Sequence, residues 1–170
     1  PPLLQVMFAA GQFIGGGMAS LKLVFVLIDS LVLIVLFLGL QRANRDPRQV
    51  LLYAWNPLPI LEISGSGHAD GVLGLLLLLA VMSLGAADFR RAAIIVGASF
   101  LVKFVGVLIL PFIWLRRQVR DSVAIFALIV LIGYLPFWSA GKNMFTGLLP
   151  FSAKWRFNNG IFSLIDWPIE

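Results

Sequence analysis

One histidine, one glutamate and one aspartate stand close together in Glu62-Ile63-Ser64-Gly65-Ser66-Gly67-His68-Ala69-Asp70-Gly71. These are the residue types of acid–base work and of hydrogen bonding to sugar hydroxyls or phosphates. The glycines let the backbone approach a ligand closely. The simpler reading of His68 and Asp70 is a polar hairpin turn, with Asp70 as N-cap of the apolar run Val72–Leu84. Glu62 ends an apolar stretch, where a carboxylate is costly unless paired or wet; its simpler reading is an interfacial residue. One histidine and two loosely spaced carboxylates match no standard metal spacing, so no metal is expected.

Four further cations interrupt apolar sequence and could contact phosphate: Lys22, Lys103, Lys154 and Arg156. Arginine suits bidentate phosphate binding; for Lys103 the alternative is snorkelling to an interface. Asn158-Asn159-Gly160 reads as a turn. Asp29 lies mid-span, where it needs a partner, and a helix outside this stretch of sequence could supply one. Asn56 precedes Pro57 and can bond backbone groups that the proline frees.

The elements that carry these residues are membrane elements. The chain of 170 residues is 60% hydrophobic and 12% charged, with a mean hydropathy of +0.97. A soluble domain of this size could not hide so much apolar surface. The absence of cysteine excludes disulfides and thiolate metal sites. The net charge of +5 is no nucleic-acid signal, because the basic residues punctuate hydrophobic runs rather than form a face.

Lys22–Leu40 is long enough to cross a bilayer and ends in the cluster Arg42, Arg45, Arg48. Val50–Ser64 carries Pro57 and Pro59 and predicts a short or broken helix. Val72–Gly85 returns to Arg90-Arg91. For 92–115 two arrangements compete, one span or two half-length helices folded back near Lys103-Phe104. The folded-back form keeps Arg116, Arg117 and Arg120 with the other arginines, and Gly106 and Pro111 permit the break, so it is preferred. Ser122–Trp138 then crosses outward. Segment 1–17 reads as an interfacial or re-entrant helix and 139–170 as an external or interfacial loop. The sorting puts Glu62, His68, Asp70, Asp166, Lys22, Lys103, Lys142, Lys154 and Arg156 at the non-cytoplasmic side. The expectation is an all-α, polytopic transmembrane bundle with short or broken helices, forming one domain over 1–170. With Pro1-Pro2 at its start, the chain reads as an internal fragment of a larger protein.

Taken in order, Pro1-Pro2-Leu3-Leu4, Leu21-Lys22-Leu23 with Asp29, Trp55-Asn56-Pro57 with Glu62, Gly67-His68-Ala69-Asp70, Lys103 with Leu110-Pro111, and Trp155-Arg156-Phe157-Asn158 resemble the GT-C class of multi-spanning glycosyltransferases. The resemblance is to the mannosyltransferase-like branch and covers most of the chain. It implies transfer of a sugar, mannose among the candidates, from a polyprenyl-phosphate donor to a glycan or lipid acceptor at the non-cytoplasmic face. It implies membrane lipid as partner, a lipid-linked sugar as co-substrate, and no cofactor or nucleic acid. It assigns the main catalytic carboxylate to a loop before Pro1, with Asp70, His68 and Glu62 in support. Substrate contacts are expected from Glu62, His68, Asp70, Lys22, Lys103, Lys154, Arg156 and Asn158. The competing class is a secondary transporter or permease, which broken helices and intramembrane charges also suit.

Overall fold

The computed structural model describes residues 1–114 and 119–146, and the described residues form helices and turns without a strand. The chain divides into two units, Pro1–Leu135 and Pro136–Glu170. In the second, the described residues form 3-10 turns as far as Phe145, interrupted at Gly141 (φ 52°). Lys154, Arg156, Asn158 and Asp166, together with Arg116 and Arg117, lie outside the described residues.

The first unit starts with a helical hairpin. Helix α1 (Pro2–Ile14) has 13 residues, about 20 Å, too short to cross about 30 Å of hydrocarbon. It turns at Gly15 and Gly16, both at positive φ, into α2 (Gly17–Arg42), whose 26 residues are ample for a crossing. A Cβ on Gly11 would sit 3.3 Å from Leu21 Cα, so the two helices pack closely there.

The return from α2 is broken as its prolines predict. A 3-10 turn at Pro47–Val50 leads into α3 (Leu51–Ala54), α4 (Pro57–Pro59) and a π-helical turn at Ile60–Gly65. Asn56 accepts from Leu58 N–H at 3.0 Å and so caps the restart at Pro57. The stretch Pro57–Gly65 meets α5 (Asp70–Gly85) at 120°. Phe25 of α2 packs with Val72 and Leu73 at the start of α5, and Gly39 lies beside Met82 near its end. These helices therefore run parallel, with their N-termini at one end of the unit.

Ala86–Asp88 turns the chain into α6 (Phe89–Phe100), where Asp88 caps the Arg91 N–H. Beyond α6 the folded-back arrangement is the one found. After Leu101–Lys103 come a 3-10 stretch, Phe104–Ile109, and α7 (Leu110–Trp114). Leu110 and Ile113 are buried against Ala92, Ala93 and Val96 of α6, a contact a straight helix could not make. The reversal depends on Gly106, whose hydrogen occupies the space that a Cβ would contest with Ser99 Oγ. The last helix, α8 (Val119–Tyr134), packs Ile129 on Gly97 and brings Asp121 within 3.6 Å of Arg90. That contact places Arg120 at the same end as Arg90-Arg91.

Among the described residues two helical stretches, Gly17–Arg42 and Arg120–Gly141, are long and apolar enough to cross a membrane, and the bent pair Pro57–Gly65 with Asp70–Gly85 forms a third candidate. Phe13 is 92% exposed and Trp55 82%, an arrangement suited to lipid rather than water. The all-α membrane bundle with short and broken helices is thus the architecture found.

Candidate active site

The polar residues of the first unit gather where the helices break. Gly67 adopts φ 75°, and its Cα faces the Lys22 side-chain stem and the Phe25 ring, each 3.7 Å from where a Cβ would be. The loop therefore lies against the first turns of α2, and Lys22 stands beside it. Lys22 makes no ion pair among the described residues.

His68 is held by the π-helical turn. Its backbone N–H donates to the Glu62 carbonyl at 3.0 Å. Its ring Nδ1 faces that carbonyl at 3.2 Å and the Glu62 carboxylate Oε2 at 3.0 Å. A backbone carbonyl can only accept, so Nδ1 carries the hydrogen. In the neutral ring the lone pair is then on Nε2, ready to accept from a hydroxyl. Both side chains are about half exposed, which leaves them accessible to a ligand.

Asp70 departs from the simpler of its two readings, the N-cap. The helix begins at Asp70 itself, Ala69 occupies the N-cap position, and no side chain caps the turn. The Asp70 carboxylate instead accepts from Lys103 Nζ at 2.5 Å, across 33 residues of sequence. The physical reason is the reversal after α6. Lys103 has extended backbone there (φ −146°), between helices, and its side chain extends to the start of α5. A carboxylate in the first turn still favours the helix dipole. Lys103 thus has a fixed partner rather than a merely snorkelling head.

Asp29 also finds its partners inside the chain. Tyr53 OH donates to its Oδ1 at 2.7 Å, and Ser64 Oγ donates to its Oδ2 at the longer distance of 3.4 Å. A carboxylate at the centre of a span costs about 2.5–3.5 kcal/mol on insertion scales, and such hydrogen bonds offset part of that. Tyr53 and Ser64 were not singled out by sequence. The available signal was an intramembrane acid followed by a broken, polar-bearing segment. Lys22 and Asp29 are about two turns apart on α2, so they share a face of that helix.

Glu62, His68, Asp70, Lys22 and Lys103 are thus brought to one end of the unit, on four separate stretches. They are arranged as two pairs of one carboxylate and one base each, Glu62–His68 and Asp70–Lys103, and the Lys22 ammonium, which makes no ion pair among the described residues. Such a set can accept from and donate to hydroxyls and can attract a phosphate. Among the described residues no group of three or more His, Cys, Asp or Glu side chains is placed to hold a metal ion.

No curated protein and no solved structure matches the chain. The model of glycosyltransferase family 87 matches residues 1–164. That match takes in every element described above, including the broken segment and the Gly67–Asp70 loop. The chain belongs to glycosyltransferase family 87 and is a membrane glycosyltransferase of the GT-C-like kind.

Proposed function

We propose that the chain is part of a multi-pass enzyme that moves a hexose, with mannose the first candidate, from a polyprenyl-phosphate donor to a glycan or lipid acceptor on the non-cytoplasmic face of the membrane. The observation that carries this reading is the Lys103–Asp70 contact. It joins two distant polar breaks beside the Glu62–His68 pair and puts a cation next to carboxylates at one end of the bundle. The chemistry of a sugar phosphate asks for both, since hydroxyls bind carboxylate and imidazole while the phosphate binds ammonium groups.

In this reading Lys103 and Lys22 stabilise the charge that develops on the phosphate as the anomeric C–O bond breaks. Asp70 fixes the Lys103 ammonium, and Glu62 and His68 bond the sugar hydroxyls. The attacking hydroxyl gives its proton to a carboxylate base as its oxygen bonds to the anomeric carbon. No cofactor takes part; the lipid-linked sugar is the co-substrate. The arginine-rich end faces the cytoplasm, which leaves the polar end where a flipped lipid donor presents its sugar. Family membership favours this over a transporter.

The test is sugar transfer by the full-length protein in membrane vesicles, from radiolabelled polyprenyl-phosphate mannose to an endogenous lipid or glycan acceptor. Label in the acceptor, lost in His68→Ala and Asp70→Asn variants that still fold, is the expected result. Normal turnover by both variants removes this loop from the site. Transfer from a soluble nucleotide sugar instead overturns the donor assignment.

A further inference from the structure

Asp29 is the one ionisable side chain in the middle of α2, and the proposed reaction leaves it without a task. Both of its hydrogen-bond partners lie on the broken segment: Tyr53 in α3, and Ser64 in the π-helical turn two residues beyond Glu62. A π-helical turn is an uncommon conformation that needs support from tertiary contacts and often accompanies functional sites. This one has an apolar tie, Ile63, buried with Phe25 and Val72. Its polar tie is the bond from Ser64 to Asp29. The same turn supplies both acceptors of His68 Nδ1, the Glu62 carbonyl and the Glu62 carboxylate. If the turn shifts, both acceptors leave the imidazole together.

We infer that Asp29 is a positioning residue for the Glu62–His68 pair: its carboxylate, gripped by Tyr53 and Ser64, holds the π-helical turn at the depth at which Glu62 fixes the His68 ring with its hydrogen on Nδ1. The inference deepens the proposed function and rests on it for the effect on turnover; the effect on the ring does not. Asp29 acts here through hydrogen-bond geometry and not through its charge, and that sets its signature. Asparagine at this position retains an acceptor for Tyr53 OH and gains a donor for Ser64 Oγ, whereas alanine retains neither.

The experiment combines kinetics with the tautomer of His68, read by 15N NMR of the full-length enzyme in lipid nanodiscs with labelled histidine. The His68 signal is assigned by its loss in His68→Gln. Asp29→Ala is expected to lower kcat on the order of tenfold to a hundredfold, as small misplacements of positioned groups do, with KM little changed. It is also expected to move His68 from the Nδ1–H form to a mixture of tautomers. Asp29→Asn is expected to restore both the rate and the Nδ1–H signal. An Asn variant as slow as the Ala variant overturns the inference, because the charge itself is then needed. So does an Ala variant with an unchanged His68 spectrum or unchanged kcat. Where Asp29→Ala fails to fold, Tyr53→Phe and Ser64→Ala each remove one bond, and wild-type rates in both overturn it equally. Absence of sugar transfer by the wild type strikes the proposed function instead, while the tautomer measurement still judges the anchor.

Discussion

The two ends of the first unit carry similar charge types and use them differently. At one end Arg90 meets Asp121 at 3.6 Å with both side chains largely exposed, and Arg42 and Arg45 are exposed at the end of α2. Such contacts contribute about 0–1 kcal/mol and anchor the chain relative to the lipid surface. At the other end Lys103 reaches Asp70 from a break in the helix, and the Glu62 carboxylate and carbonyl together fix one imidazole nitrogen. The difference teaches that charge count does not locate chemistry in this protein. Broken backbone does, because a helix interruption frees polar groups and lets side chains of distant elements converge.

The strongest way to break that contrast is at Lys103. Lys103→Ala removes the proposed phosphate contact and leaves Asp70 unpaired, and transfer is expected to fall on the order of a hundredfold or more in kcat, as for other lost transition-state cations. Lys103→Arg should retain part of the activity. Activity close to wild type in the alanine variant would make the polar end no different from the arginine end.

Next in size is Gly106→Ala. The added methyl has no room against Ser99, and overpacking of this kind costs about 1–3 kcal/mol. Thermal unfolding in detergent should show a lowered Tm. An unshifted Tm would mean that the reversal after α6 does not depend on this close approach.

Smaller still is Asn56→Ala, which removes the cap from the Leu58 N–H and should cost about 0.5–2 kcal/mol. Its effect on turnover should be modest, since the Asn56 side chain caps the restart at Pro57, and thermal unfolding in detergent checks the loss of stability.

The smallest effect is expected from Arg90→Ala. Loss of a 3.6 Å exposed pair should change stability by about 1 kcal/mol or less and leave transfer unchanged. A large drop in kcat here would erase the functional difference between the ends.

Much of this was legible in the sequence, for local reasons. The length of α2, the break at Pro57 and the glycine loop around His68 follow from hydropathy and backbone chemistry over neighbouring residues. The reversal after α6 followed from keeping the arginines together, and the Arg90–Asp121 contact bears it out. Asp70 was harder. Its place before an apolar run is equally the place of an N-cap, and only the partner 33 residues away separates the two readings. Tyr53 and Ser64 were not found because they meet Asp29 across 24 and 35 residues, and such through-space bonds leave no periodic trace.

Because the chain has no cysteine, single thiols can report on each end. In a full-length protein free of other cysteines, Ser66→Cys and Asn44→Cys are treated in intact cells with a membrane-impermeant thiol reagent. The account predicts that Ser66→Cys labels, that Asn44→Cys does not, and that a polyprenyl-phosphate sugar slows labelling at Ser66→Cys in vesicles of the same orientation. Labelling at Asn44→Cys but not at Ser66→Cys would place the Glu62–His68 and Asp70–Lys103 pairs on the wrong face for that donor and contradict the account.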